Sequence, residues 1–288
     1  MIYGFLSSSV GLNFILYQEY VFNNQKYISY YNAGIVLGWF LGAQLCGVFV
    51  DFFGIGYLFL FLLFFSIINL VLSLFLREDR DLILRKFNDL NAKIKRTTRL
   101  NEEIDISLNK SIFYGLFFRN FGIRPIMSII TILMAFHLSS DSEIGFLVGI
   151  NPLIQFFLMI LMGKIISKKN QKIFIILGYL LSGVVIIGYV LSINFWGYLL
   201  SQILVSFSYS MFWSATHFYI AENTTPQNKG QYIGLANSSF YLGSFLGGLF
   251  FSGILAIEPN YFIAMLPLIC FPIISTIVIS LRFRRKQK

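Results

Sequence analysis

Charge is scarce in this chain: Asp, Glu, Lys and Arg make up 12% of 288 residues, about half the ~25% of an average soluble domain. A soluble enzyme needs more polar surface than that, so a water-soluble globule is excluded. Disorder is excluded too, because it requires low hydrophobicity, and here 57% of residues are hydrophobic with a mean hydropathy of +0.73. Cysteine is nearly absent. Cys46 and Cys270 each sit inside an apolar run and read as small hydrophobes, not as a disulfide framework. Histidine is limited to His137 and His217, and no metal-ligand spacing or phosphate-cradling loop occurs, so no metal or cofactor is expected. A basic n-region and a small-residue cleavage site, the marks of a secretory signal, are also missing. What is abundant is apolar and aromatic, with 33 Phe and 16 Tyr. The composition is that of a polytopic membrane protein.

A transmembrane helix needs about 20 predominantly apolar residues. Such runs lie near 1–18, 31–51, 56–76, 117–138, 144–166, 173–192, 196–221, 231–256 and 260–281. If these nine spans alternate, one side receives 19–30, 77–112, 167–172, 222–230 and 282–288, which together hold 19 of the 22 Lys and Arg. Arg119, Arg124 and Lys164 lie inside spans but toward that side. The opposite loops hold no Lys or Arg, and carry Asp141, Glu143 and Glu258. Basic residues are retained in the cytoplasm, which predicts a cytoplasmic C-terminus in the plasma membrane. The net charge of +9 is thus a membrane-side asymmetry. In 77–112 nine bases are offset by seven acids, so nucleic acid is not an expected partner.

Shifting the sequence by 205 pairs Tyr27 with Tyr232, Ile28 with Ile233, Asn32 with Asn237, Gly38 with Gly243, Phe40 with Phe245 and Gly42 with Gly247. Both segments enter the membrane from the basic side with glycines four apart, a spacing that lets helix backbones approach. An in-register match at one topological point argues for duplication. Between the copies, Ile83, Phe87, Leu90 and Ile94 recur at helical spacing among bases, as expected of an amphipathic helix on the membrane surface or of a solvated linker helix.

Three stretches resemble the major facilitator superfamily: GKIISKKNQK (163–172), similar to its basic loop within a half; PQNKGQYIGLANSSFYLGSFLGG (226–248), similar to its glycine-rich eleventh helix; and FRNFGIRPIMSI with INPLIQF (118–129 and 150–156), similar to its seventh and eighth helices. Ser167 stands where that basic loop usually has an acid. The resemblance implies an all-α membrane bundle with about nine helices of a 12-helix, two-half transporter. Residues 1–76 would be the remainder of the N-terminal half, 77–112 a cytoplasmic amphipathic linker and 113–288 a complete C-terminal six-helix half. Counterparts of the first three helices would come from an earlier start or a separate chain, or be lost in a decayed gene.

The resemblance further implies a midplane cavity lined by the seventh and tenth helices. In the first of these Asn120, Arg124, Ser128 and Thr131 share one helical face, and in the second Gln202, Ser206, Tyr209, Trp213 and His217 do. Asn151 and Gln155 flank Pro152 one turn apart. These are the candidate cavity residues, and Gly38, Gly42, Gly243 and Gly247 are the candidate packing positions. Arg124 is either an interfacial anchor or a cation aimed at an anionic solute or at Glu222. Glu19, Asp51 and Glu222 sit only at span ends, so the spans offer no mid-membrane proton carrier. The expected function is secondary transport of a small solute by alternating access, with the bilayer as the other partner. The rivals are a non-transporting or decayed membrane protein and a polytopic membrane enzyme. An enzyme would need clustered His, Asp or Cys, and the two histidines lie at opposite span ends.

Overall fold

The computed structural model describes residues 25–74, 109–138, 141–224 and 226–284. The expected span at 1–18 and nearly all of the 77–112 linker lie outside them. Every regular element among the described residues is helical: α1 Gln25–Phe53, α2 Leu58–Leu74, α3 Ser111–Ser128, α4 Ile130–Ala135, α5 Asp141–Ile165, α6 Gln171–Leu191, α7 Phe195–Glu222, α8 Pro226–Ile257, α9 Tyr261–Met265 and α10 Cys270–Arg284. Residues 25–44 with 109–284 form one compact unit, and 45–74 belong to a second.

The apolar runs became helices close to where hydropathy put them, with two differences. The span at 117–138 is broken: Pro125 lies inside α3, and Ile129 (φ −112°, ψ 11°) separates α3 from α4. A proline cannot donate to the helix ladder, and at the break Ile129 N turns to the Ile126 carbonyl at 3.1 Å while Ser128 Oγ donates to the Pro125 carbonyl at 2.6 Å. The span at 260–281 is likewise interrupted by a 3-10 turn, Leu266–Ile269, which contains Pro267. Asparagines cap two starts on the base-free side. Asn194 Oδ1 accepts from Gly197 N at 2.9 Å, and Asn260 Oδ1 accepts from Phe262 N at 2.9 Å, satisfying donors that a helix start leaves open.

Among the described residues, four helical segments are long and apolar enough to cross a bilayer by length and composition: Glu143–Ile165, Gln171–Leu191, Asn228–Ile257 and Tyr261–Leu281. α7 is long enough at ~42 Å but is diluted by serines. It can carry them because sixteen of its 28 residues are buried by neighbours, so its polar groups are hidden from lipid.

Helix ends collect in the two groups that the alternation requires. Asn109 N donates to Tyr219 Oη at 3.3 Å and Gln171 Nε2 donates to Glu222 Oε2 at 3.1 Å, which joins the starts of α3 and α6 to the end of α7. At the other end His137 lies 2.9 Å from Tyr198 Oη and packs on Phe262. Asn170 holds the basic turn of 166–170, accepting from Ser167 N at 2.6 Å and donating to the Ile165 carbonyl at 2.9 Å.

Among the described residues, two large buried clusters and a third, small one lie in the first unit. One large cluster, near the basic end, gathers Ile28, Ile112, Leu116, Tyr179, Phe212 and Phe218. The other large cluster, toward the base-free end, gathers Ile123, Leu133, Tyr189, Tyr198 and Leu268. In the second unit Phe49 stacks on Phe61 at 4.2 Å, and Phe52 and Phe59 are exposed. Large apolar side chains left outward in this way suit hydrocarbon, not water.

The two repeat copies differ at their glycines. A Cβ at Gly243 would overlap the Phe117 carbonyl oxygen and one at Gly247 the Phe121 carbonyl oxygen, so α8 touches the backbone of α3 there. At Gly38 and Gly42 a Cβ would meet nothing within 4 Å, and both glycines are exposed.

Candidate functional site

The polar candidates of α5 and α7 meet across those two helices. Gln155 Nε2 donates to Asn151 Oδ1 at 2.5 Å. Ser206 Oγ lies 2.9 Å from Asn151 Oδ1, 3.0 Å from the Asn151 carbonyl and 2.9 Å from the Gln202 carbonyl. One hydroxyl hydrogen serves these acceptors in turn. Asn151, Gln155, Gln202 and Ser206 are all buried. The amide oxygens of Gln155 and Gln202 have no hydrogen-bond partner, nor does the amide nitrogen of buried Asn32 on α1. Buried polar atoms are nearly always satisfied, so these three, with other unpartnered atoms such as Ser210 Oγ and Ser214 Oγ, are candidate contacts for a polar solute. Asn32 stands out in the sequence only as the repeat partner of Asn237, not as a cavity residue.

Farther along α7 the site becomes aromatic. Tyr209 stacks on Trp213 with centroids 5.7 Å apart, and Trp213 meets His217 at 4.3 Å and Phe240 of α8 at 5.3 Å. Tyr209 and Trp213 are half-buried and His217 is buried. Ala33 and Val36 of α1 and Met159 of α5 pack against Tyr209 and Trp213, which gives this wall an apolar backing.

The four candidates of the 117–138 span, three on α3 and Thr131 on α4, do not form one continuous surface. Asn120 is buried and donates to the Leu116 carbonyl at 2.7 Å. Arg124 is half-buried, its guanidinium carbon 5.0 Å from the centroid of Phe240. Ser128 and Thr131 are exposed, and the break at Ile129 takes Thr131 off the register of an unbroken helix. Glu222, the acid considered for Arg124, accepts from Gln171 instead. Ser128 also borders a shallow cavity of about 430 Å³ with Ser244, Gly248, Ser252 and Tyr261.

Arg119, which counts in the sequence only as a base toward the basic side, is enclosed within the bundle. It is 2% exposed. Its Nε donates to Ser182 Oγ and its Nη1 to Asn120 Oδ1, both at 2.9 Å, and its guanidinium lies 4.0 Å from the Phe212 centroid. Arg124 and the neutral hydroxyls of Tyr209 and Tyr179 are within electrostatic reach of it, and no acid is among them. The available signal was two arginines in FRNFGIR. Five residues apart they point about 140° from each other at 3.6 residues per turn, so a one-face reading selects only one of them.

Among the described residues no cluster of three or more His, Cys, Asp or Glu could hold a metal ion. His137 and His217 sit on the Tyr198 and Trp213 levels of α7, more than 20 Å apart at ~1.5 Å per residue. The arrangement suits binding: polar handles, an aromatic wall and cations. The Major Facilitator Superfamily family model matches residues 112–288. An uncharacterized MFS-type transporter of Methanocaldococcus jannaschii is 24% identical over 265 residues, which is 90% of this chain and 67% of that relative.

Proposed function

We propose, on the premise that the chain belongs to the major facilitator superfamily, that it carries a small anionic solute across the plasma membrane by alternating access. The family is one of multi-pass membrane transporters, not enzymes, and the finer reading rests on one observation. Arg124 stands over Phe240 beside the half-open Tyr209–Trp213 wall, and no acid pairs with it among the described residues. A cation at membrane depth is costly without a partner and marks a solute path by default. In this reading Arg124 draws the negative group of the solute, Trp213 and Tyr209 cover its apolar part, and Asn151, Gln155, Gln202 and Asn32 offer the neutral polar contacts.

A complete cavity needs walls beyond those described. The bare face at Gly38 and Gly42 supports a further helix docking there, of this polypeptide or of a separate chain, as α3 docks on Gly243 and Gly247. The test is uptake into proteoliposomes of a panel of anionic and neutral metabolites. Concentrative or counterflow uptake of at least one anion, above protein-free vesicles, is expected. Uptake of neutral solutes alone would overturn the anion reading, and no uptake of any would overturn transport by this chain.

The orientation is proposed with the basic loops and the C-terminus in the cytoplasm. Single cysteines at Ser140 and Ser167, in a chain lacking Cys46 and the exposed Cys270, are expected to react with an impermeant maleimide in intact cells only at 140. Labelling at 167 alone would invert the assignment.

A further inference from the structure

We infer that Arg119 and Arg124 together form a two-cation site for a small organic dianion, held at the two ends of a ring cluster made by Phe212, Tyr209, Trp213 and Phe240. The inference rests on the reading of Arg124 as facing the solute, and extends it to a second residue and to the charge of the ligand.

The rings are continuous. Phe212 meets Tyr209 at 5.4 Å, Tyr209 meets Trp213 at 5.7 Å and Trp213 meets Phe240 at 5.3 Å. One guanidinium lies on each terminal ring, Arg119 at 4.0 Å from Phe212 and Arg124 at 5.0 Å from Phe240. The Tyr209 hydroxyl is within electrostatic reach of both arginines. The two cations are also within reach of one another, and with no acid among those neighbours they repel in a low-dielectric setting. A charge taken out of water is tolerated only when paired. Cation–π contacts and two hydrogen bonds offset part of that cost, and a monoanion balances only one of the two charges. A dianion balances both, and the guanidinium fork suits carboxylate and phosphate oxygens equally.

A purely structural role for Arg119 is a poor account of its bonds. Without it Ser182 Oγ keeps the Gly178 carbonyl at 3.0 Å and Ser208 Oγ at 2.7 Å. Asn120 keeps the Leu116 carbonyl at 2.7 Å. Only Asn120 Oδ1 depends on Arg119 for its hydrogen bond, one neutral acceptor set against a buried guanidinium.

Thermal unfolding of the full chain in detergent tests this, with succinate and phenyl phosphate as dianions, acetate as monoanion and glycerol as neutral control. At least one dianion is expected to raise Tm by several degrees more than acetate, and the larger of the two shifts identifies carboxylate or phosphate as the preferred chemistry. Arg119→Met is expected to leave the ligand-free Tm unchanged or higher, because a buried unpaired charge is gone, and to weaken dianion binding at least tenfold. Arg119→Lys, which keeps the charge but loses the fork, is expected to fall between. An Arg119→Met protein that misfolds or melts lower would overturn the inference, since the arginine is then a structural pin, and so would a dianion shift that survives this substitution. If acetate matches the dianions and only Arg124→Gln removes the shifts, the Arg124 reading stands and the two-cation site falls. If no anion shifts Tm, both fall.

Discussion

Leucine at position 243 or 247 is expected to remove most of the folded, monodisperse protein recovered in detergent, whereas leucine at 38 or 42, which meets no neighbour among the described residues, is expected to cost much less. The four glycines occupy equivalent repeat positions with the same G-x-x-x-G spacing, so sequence alone makes them alike. They differ in what lies opposite. A side chain at 243 or 247 runs into the Phe117 or Phe121 carbonyl, and backbone cannot rotate aside as a flexible side chain can. Ordinary overpacking costs about 1–3 kcal/mol; forcing α3 from α8 also separates the Phe121–Phe250 and Phe113–Tyr232 ring pairs, so a loss above ~3 kcal/mol is expected. Differential scanning fluorimetry and size-exclusion profiles of the four single variants make the comparison. Equal tolerance at 243 and 38 would mean that the α3–α8 contact is not formed.

Uptake of a transported anion is expected to fall tenfold or more in Arg124→Gln, with Arg124→Lys intermediate and neutral solutes unaffected. Hydrogen bonds to a charged group are worth about 1.5–3 kcal/mol, and a factor of ten is about 1.4 kcal/mol, so the loss of one guanidinium contact predicts at least that factor. Lysine restores the charge without the planar fork, so the gap between the two variants measures how much of the effect is geometry. The Phe240 ring beneath Arg124 stays in both. Initial rates across a range of solute concentrations show whether the loss is in apparent affinity, as a binding role requires. An anion carried equally well by wild type and both variants would make Arg124 an interfacial anchor, and the cation of the site would have to be sought elsewhere.

What was legible in the sequence was set by one-dimensional quantities. The thickness of hydrocarbon fixes how long an apolar run must be, so α1, α5, α6, α7 and α8 begin and end within a few residues of the hydropathy spans, apart from the start of α1. The cost of moving Lys and Arg across a bilayer sorts the loops, and the helix ends meet in two matching groups, as at Asn109–Tyr219 and His137–Tyr198. The family was legible for the same reason, because its loops and glycines are local patterns. Helical periodicity put Asn151 with Gln155 and Gln202 with Ser206, each pair one turn apart; that the two pairs meet was decided by the packing of α5 on α7.

Periodicity does not say which neighbour a face meets, and there the tertiary structure decided. It covered Gly243 and Gly247 with α3 while leaving Gly38 and Gly42 bare. At Ile129 it broke a helix whose apolar run is continuous, and so parted Thr131 from Arg124. Arg119, 140° around α3 from Arg124 by helical geometry, was turned onto Phe212 of α7 and Ser182 of α6, residues 93 and 63 positions away. Contacts of that sequence separation depend on how several helices cross at once, and no single helix carries that information. The energy of a buried cation is set by those crossings, because the same arginine facing water, lipid or an aromatic ring has the same sequence and a different cost.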